Sequence, residues 1–443
     1  MEEFSLTKII FSLNLIELIV LLMVGAVLFF LSLSMRTHIL MFTLVLSASL
    51  VGSTIPIVDN IAALVRWVSI SLLLIAVIRQ RRFKAPPALL LFWGYITLGF
   101  VSLFDAISPI WQLQKGILLL AVAVTIPLAY SNETHSSLRL SLVSISLAAT
   151  VYCLLSFISL PGQLSEAERF SGYAKGAPSF AMFLGGLLPF TFWGLWRANH
   201  RVIRMVCGSG FLCGSIALIF TGQRTGTIGG MIGLIPLLLT FVQRRNIVKF
   251  AFVIIFTVLL SYVLLQHSSE DFVNFLSVRY SPESGLSGRE SIWGDASSEI
   301  AKSPLLGRGI GAAETVISDS FHNAYLEIWF NTGLAGLLLF LASLCCFTCR
   351  ILYLKRICKD PEIRSILALA LGYIMGFVAM SFSESIAAEA SNLNLMLYLF
   401  LGGLVSNRDL IVQKGLRSGV IQRGVSPNNH FFRGQPSPIG ASS

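Results

Sequence analysis

Apolar residues in this chain come in blocks of about twenty, divided by short polar connectors, from the first decade of residues to about position 405. A helix that rises about 1.5 Å per residue needs a block of that length to cross the hydrocarbon core of a bilayer. The blocks fall at roughly 9–34, 39–57, 61–78, 88–104, 110–130, 139–160, 177–196, 205–221, 226–242, 250–266, from His322 to about 350, 365–383 and 391–405. The pattern predicts an all-α polytopic membrane protein with about 12–13 transmembrane helices. The first block follows an acidic leader, MEEFSLTK, and is too long for a signal-peptide core. With no small-residue cleavage site after it, it reads as a retained span.

Two long polar stretches interrupt this rhythm and divide the chain into four parts. N-terminal helices occupy 1–266, a large loop with amphipathic helices 267–321, C-terminal helices 322–405, and a basic tail 406–443. The tail is rich in Gly, Ser, Pro and Asn and has too little apolar surface to offset the entropy of ordering, so it is expected to stay disordered.

Composition supports the membrane reading. The chain is 55% hydrophobic and 12% charged, where a soluble domain carries about 25% charged residues. Its net charge of +10 does not indicate nucleic acid, because the basic residues sit mainly in connectors. Arg79–Lys84, Arg197 with Arg201 and Arg204, Arg244 with Arg245 and Lys249, and the group from Arg350 to Arg364 all fall on one side when the spans are alternated. That side is cytoplasmic by the positive-inside rule. A literal count leaves the N-terminus outside; an even count with both ends inside is the alternative. The seven cysteines lie in or beside apolar blocks, which indicates neither a disulfide framework nor a zinc site.

The informative residues break the charge rule. Arg169, Lys175, Arg224, Arg279, Arg289, Lys302 and Arg308 all fall on the external side. The 267–321 loop also holds eight acidic residues, so bulk attraction of an anion fails and individual arginines must carry any argument. Arg224 occupies a minimal turn, Thr221-Gly-Gln-Arg-Thr-Gly226, between two apolar helices. A guanidinium there either serves a site or snorkels to headgroups. Gly226, Gly229, Gly230 and Gly233 follow at spacings that let another helix come close. Arg289 lies near the start of a segment with Ile292, Ala296 and Ile300 at helical spacing, and Arg169 sits in a short outer loop. A salt bridge is the plain alternative for both.

His322 and Asn323 follow Asp319 and Ser320 at the start of an apolar helix. An imidazole there is either a headgroup contact or a general base. Together the set suits transfer from a diphosphate: arginine forks match its oxygens, and a histidine can deprotonate an attacking hydroxyl. No DxD-like motif in the long loop calls for a divalent metal, and no cofactor is expected.

Four patterns in order resemble the O-antigen ligase/polymerase superfamily of bacterial membrane glycosyltransferases. They are Glu168-Arg-Phe-Ser-Gly172; Thr221-Gly-Gln-Arg-Thr-Gly226; Ser287-Gly-Arg-Glu-Ser-Ile-Trp293 with Ser303-Pro-Leu-Leu-Gly-Arg-Gly309; and Phe321-His-Asn-Ala-Tyr-Leu-Glu327 with Gly333-Leu-Ala-Gly336. The resemblance implies a GT-C-like helical membrane glycosyltransferase of the metal-independent type, with about twelve spans and both ends cytoplasmic. It places the large loop in the periplasm and the protein in the bacterial inner membrane. By the same resemblance Arg224 and Arg289 bind an undecaprenyl diphosphate-linked glycan donor, Arg169 and Asn323 join the substrate-binding set, and His322 activates a hydroxyl acceptor. For a ligase that acceptor is lipid A–core. A polymerase joining repeat units on the carrier and a protein O-oligosaccharyltransferase remain alternatives. A lipid-linked sugar flippase is the reading from a different class; it calls for charged residues along the spans, where the candidates are few: Glu17, Arg66 and Lys115.

Overall fold

A computed structural model describes residues 37–80, 87–105, 108–131, 133–163, 170–174, 176–241, 263, 266, 289–316, 321–386 and 392–407. The first apolar block, Arg169, loop residues 267–288 and the tail from 408 lie outside them, as does nearly all of the block at 250–266. In chain order the helices are α1 Thr37–Leu50, α2 Pro56–Gln80, α3 Pro87–Val101, α4 Pro109–Ser131, α5 His135–Gln163, α6 Ala177–Arg197, α7 Arg201–Phe220 and α8 Arg224–Phe241. They continue with α9 Arg289–Ile300, the single turn α10 Ala313–Val316, α11 Ala324–Ile357, α12 Pro361–Ser381 and α13 Leu393–Ser406. Among the described residues eight helices are long and apolar enough to cross a membrane, and three shorter ones are apolar as well. The protein is an all-α polytopic membrane protein.

Three expected spans are cut differently from the hydropathy blocks. The block at 39–57 ends as a helix at Leu50, because Gly52 takes a left-handed φ of +82° and its N–H is held by Asp59 Oδ1 at 2.8 Å. The connecting residues Val51–Ile55 carry no charge and lie between apolar runs, so a hydropathy window passes over the turn. At about 1.5 Å per residue, the 14 residues of α1 fall short of a bilayer's hydrocarbon core. The block at 88–104 leaves the α-helix at Val101 and closes with a 3-10 turn over Ser102–Asp105. The block from His322 begins as a helix only at Ala324, and Gly333 interrupts it with φ 68° and ψ −177°. α11 is therefore two helices, a short one up to Thr332 and a long one from Leu334.

Helices in lipid gain little from the hydrophobic effect when they associate, so close packing and hydrogen bonds hold the bundle. The tightest contact runs along α8, which lies between α6 and α12. Gly226 faces the Ala181 carbonyl and Gly185 of α6, while Gly229 and Gly233 face Gly376 and Gly372 of α12. A Cβ on Gly376 would stand 2.6 Å from the Gly229 carbonyl oxygen. Backbones touch here because nothing larger than hydrogen separates them. Buried hydroxyls are also matched: Tyr373 donates to the Asn394 carbonyl at 2.9 Å, and Ser343 to the Ala88 carbonyl at 2.8 Å.

The two ends of the bundle differ. At one end Thr37 donates to Glu133 at 2.9 Å, Arg139 pairs with Glu362 at 3.4 Å, and Arg197 donates to the Pro361 carbonyl at 2.8 Å. These contacts tie α1, α5, α6 and α12 together. The other end carries the α7–α8 turn, the loop helix α9, His322 and the turn after α12.

The glycine contact gives a stability test. Gly372→Val would place carbon on the Gly233 carbonyl, and such overpacking costs about 1–3 kcal/mol. The substitution is expected to lower the unfolding midpoint in detergent, read as exposure of the buried thiols of Cys153 and Cys207. An unchanged midpoint would show that the contact is slack.

Candidate active site

The break in α11 is where the long loop locks onto the bundle. A helix interrupted at Gly333 leaves carbonyls at the end of its first half and N–H groups at the start of its second. The loop segment 303–309 crosses the break and supplies partners to both. Arg308 N–H donates to the Phe330 carbonyl at 2.9 Å and Gly309 N–H to the Asn331 carbonyl at 2.8 Å. On the other side Leu334 N–H donates to the Pro304 carbonyl at 2.8 Å. Two glycines make this crossing possible. Gly307 has φ +72°, and any Cβ on it would meet the backbone of Asn331–Gly333; a Cβ on Gly333 would meet the Leu305 backbone. Trp329 Nε1 donates to Pro304 O at 3.0 Å, and Ser102 Oγ donates to the Leu306 carbonyl, which fixes the strap to the 3-10 turn after α3 as well.

Helix α9 is anchored by a small second core. Ala296 and Ile300 are buried with Ala312, Ala313, Phe321 and Phe330, and Ile292, Leu326 and Trp329 pack at the edge. Phe321 and Phe330 meet edge to face at 5.3 Å, and Trp293 Nε1 donates to the Phe321 carbonyl at 2.9 Å. The residue before His322 is thus held from α9 and from α11. His322 itself is the only non-glycine residue with positive φ among those described, at 47°. That conformation costs an L-residue about 1–2 kcal/mol, so the surroundings impose it. Asn323 then caps α11, its Oδ1 accepting from the N–H groups of Tyr325 and Leu326 at 3.0 and 3.1 Å. Its side-chain oxygen is committed to orienting the helix that follows His322.

The sequence-derived candidates meet at a residue that sequence reasoning did not single out. Glu384 lies in the turn after α12 and is 4% exposed. Arg289 Nη2 donates to its Oε1 at 3.0 Å, and His322 Nδ1 lies 3.1 Å from its Oε2. A carboxylate has no proton to give, so in a neutral imidazole Nδ1 carries the hydrogen and Nε2 keeps the lone pair. Arg224 opens α8 at the same end of the bundle. It is the first residue of that helix, its turn is shaped by Gly222 at φ +62° and by Thr221 Oγ1 accepting from Gln223 N–H at 3.1 Å. The next residue, Thr225, shares a hydroxyl hydrogen bond of 2.7 Å with Ser383, the neighbour of Glu384. Arg289 and His322, from the two ends of the described loop, therefore close on one buried carboxylate, and the α8 turn packs against the residue before it. Arg169 lies outside the described residues; Phe170 beside it is buried against Phe180 of α6 at 5.3 Å. Among the described residues no three His, Cys, Asp or Glu side chains come together as metal ligands.

Residues 209–341 match the sequence family described as O-antigen ligase. No curated protein matches the chain. The ligase-family region spans the α8 turn, α9, the strap and the first part of α11, and so includes Arg224, Arg289, His322 and Asn323. Glu384 lies beyond it. A signal for Glu384 did exist in the sequence, an acidic residue in Ser383-Glu-Ser385 at the outer end of an apolar span. Pairing it with Arg289, 95 positions away, and with His322, 62 positions away, required the fold.

The strap has its own test. Gly333→Ala should raise hydrogen exchange in 303–312 and 328–336, because the crossing loses its fit. Gly294→Ala is the control: a Cβ there meets nothing within 4 Å, and the change favours the helix by about 0.5–1 kcal/mol. Equal exchange in both variants would remove the strap as the element that fixes this end of α11.

Proposed function

We propose that this protein transfers a glycan from undecaprenyl diphosphate to a hydroxyl acceptor, with lipid A–core as the acceptor and the site facing the periplasm. The observation that carries the reading is the single carboxylate of Glu384 holding a guanidinium at 3.0 Å and an imidazole at 3.1 Å. Transfer from a diphosphate needs both: cations where charge develops on the leaving group, and a base where the acceptor loses its proton.

In this reading Arg224 and Arg289 bind the diphosphate. An arginine fork presents paired N–H donors to phosphate oxygens, and fixed cations at a departing diphosphate stabilise its growing charge. The acceptor hydroxyl attacks the anomeric carbon of the donor sugar, its proton passes to His322 Nε2, and the bond from that carbon to the diphosphate oxygen breaks. The products are a new glycosidic bond and lipid diphosphate. Glu384 sets the imidazole tautomer that the step requires. Arg169 and Asn323 belong to the proposed substrate-binding set, Asn323 through the helix start that it orients.

The flippase reading loses ground on the same structure. Lys115 pairs with Glu314 of the long loop at 2.9 Å and covers the Trp111 ring, so it belongs to the loop contact and not to a path along the spans. Arg66 is buried over Trp67 in α2.

The test is transfer by purified protein in detergent, with EDTA, from undecaprenyl diphosphate-linked glycan to lipid A–core. His322→Ala is expected to slow transfer by about 10²–10⁴, and Arg224→Ala or Arg289→Ala by about 10²–10³, in protein that still unfolds like the wild type. Longer carrier-linked chains with nothing moved to the core would assign a polymerase. Wild-type rates in all three variants would remove these residues from the mechanism, and no transfer to any offered acceptor would return the flippase to the front.

A further inference from the structure

Glu384 serves two masters with one charge. Its oxygens are divided between Arg289 and His322, and its side chain is almost wholly out of water. In that setting the hold of the carboxylate on the imidazole depends on how far Arg289 neutralises it. The proposed function, on which this inference rests, asks Arg289 to turn to a diphosphate. We propose that donor binding draws Arg289 from Glu384 and thereby strengthens His322 as a base. The enzyme would then be able to deprotonate an acceptor effectively only when a donor is in place.

The sign follows from charge. With Arg289 paired to it, the carboxylate offers little net attraction to an imidazolium. Once the diphosphate takes the guanidinium, Glu384 faces His322 alone and favours its protonated form, so the imidazole binds a proton more tightly. No covalent bond changes in this exchange; one ion pair is traded for another, and His322 becomes the stronger proton acceptor. Among the described residues, the ionisable groups on the elements near His322 have other engagements or stand further off. Tyr325 on its own helix donates to the Val378 carbonyl at 3.2 Å, and Glu327 is buried one turn on, against Tyr95 of α3. Arg224 stands at the start of α8 and stays a cation with or without donor. Lys115 and Glu314 pair with each other. Arg308 lies on the strap, where its backbone N–H meets the Phe330 carbonyl, two turns along α11 from His322.

Glu384 is therefore a positioning residue whose charge, and not only its shape, matters. The isosteric Glu384→Gln keeps an acceptor for His322 Nδ1–H and removes the charge. The readout is carbethoxylation of His322 by diethyl pyrocarbonate, mapped by mass spectrometry across pH; its midpoint reports protonation independently of turnover. His322 is reachable, with 31% of its side chain exposed.

In the wild type, saturating undecaprenyl diphosphate should raise the midpoint by about one pH unit, a tenfold tighter proton. In Arg289→Gln the protein without ligand should already titrate at the higher value. In Glu384→Gln the midpoint should start lower, and the ligand should move it by less than half as much as in the wild type. An equal ligand shift in Glu384→Gln would overturn the proposal, because the diphosphate's own charge would then account for it. Undecaprenyl diphosphate that binds the wild type without moving the midpoint would overturn it too, while leaving the transferase reading intact. A wild type that binds no undecaprenyl diphosphate at all would defeat the transferase reading itself, and the coupling with it.

Discussion

A helix that breaks inside a packed bundle exposes peptide groups that no lipid tail can satisfy. The rest of this architecture depends on how the break at Gly333 is answered. The strap from Pro304 to Gly309 hands two N–H groups to the first half of α11 and a carbonyl to the second. That repair fixes the register of the loop against the helix, and the register decides where Arg289 and His322 stand. The short first half, Ala324 to Thr332, becomes a platform capped by Asn323. Its start is pinned through Phe321 by Trp293. A continuous helix would have carried His322 on a rod with no loop tied to it.

The second support is steric. α8 can sit between α6 and α12 only because glycine meets glycine or carbonyl along both faces. This contact brings the Arg224 turn beside the α12 turn, where Thr225 meets Ser383. The strap thus places two members of the site and the glycine seam places a third. Each solution is backbone-deep, which suits a site that must hold cations and a strained histidine without relying on water.

Much of this was legible in the chain, for identifiable reasons. Apolar block length gave the helical class, and most helix ends fell near the hydropathy edges, because turns between spans are usually polar. It failed where the turn was short and uncharged, at Val51–Ile55, and where a helix broke inside an apolar block, at Gly333. The Ser303-Pro-Leu-Leu-Gly-Arg-Gly309 pattern could be seen as a motif, yet its physical purpose, a backbone crossing that excludes any Cβ, belongs to two segments at once. The charge anomalies pointed to Arg224 and Arg289 because a cation on the wrong side needs a reason. Glu384 drew no attention, since an acidic residue in an outer turn breaks no rule. Its meaning lies in its partners, and those are far off in sequence.

That last point bears on how such a site must be built. Cations gathered for a diphosphate repel one another until the ligand arrives, so the empty site needs a resident anion. If the anion were fixed on the arginines alone, donor binding would simply compete with it. Placing the same carboxylate between Arg289 and His322 gives the displaced charge somewhere useful to act. In the proposed transfer, the carboxylate that pairs with Arg289 in the empty site would hold an imidazolium once the donor is bound. A buried position makes this effective, because water would otherwise screen the exchange. The strain at His322 and the burial of Glu384 are then two sides of one requirement of the proposed mechanism: the imidazole must be held where a single carboxylate can reach both it and the guanidinium.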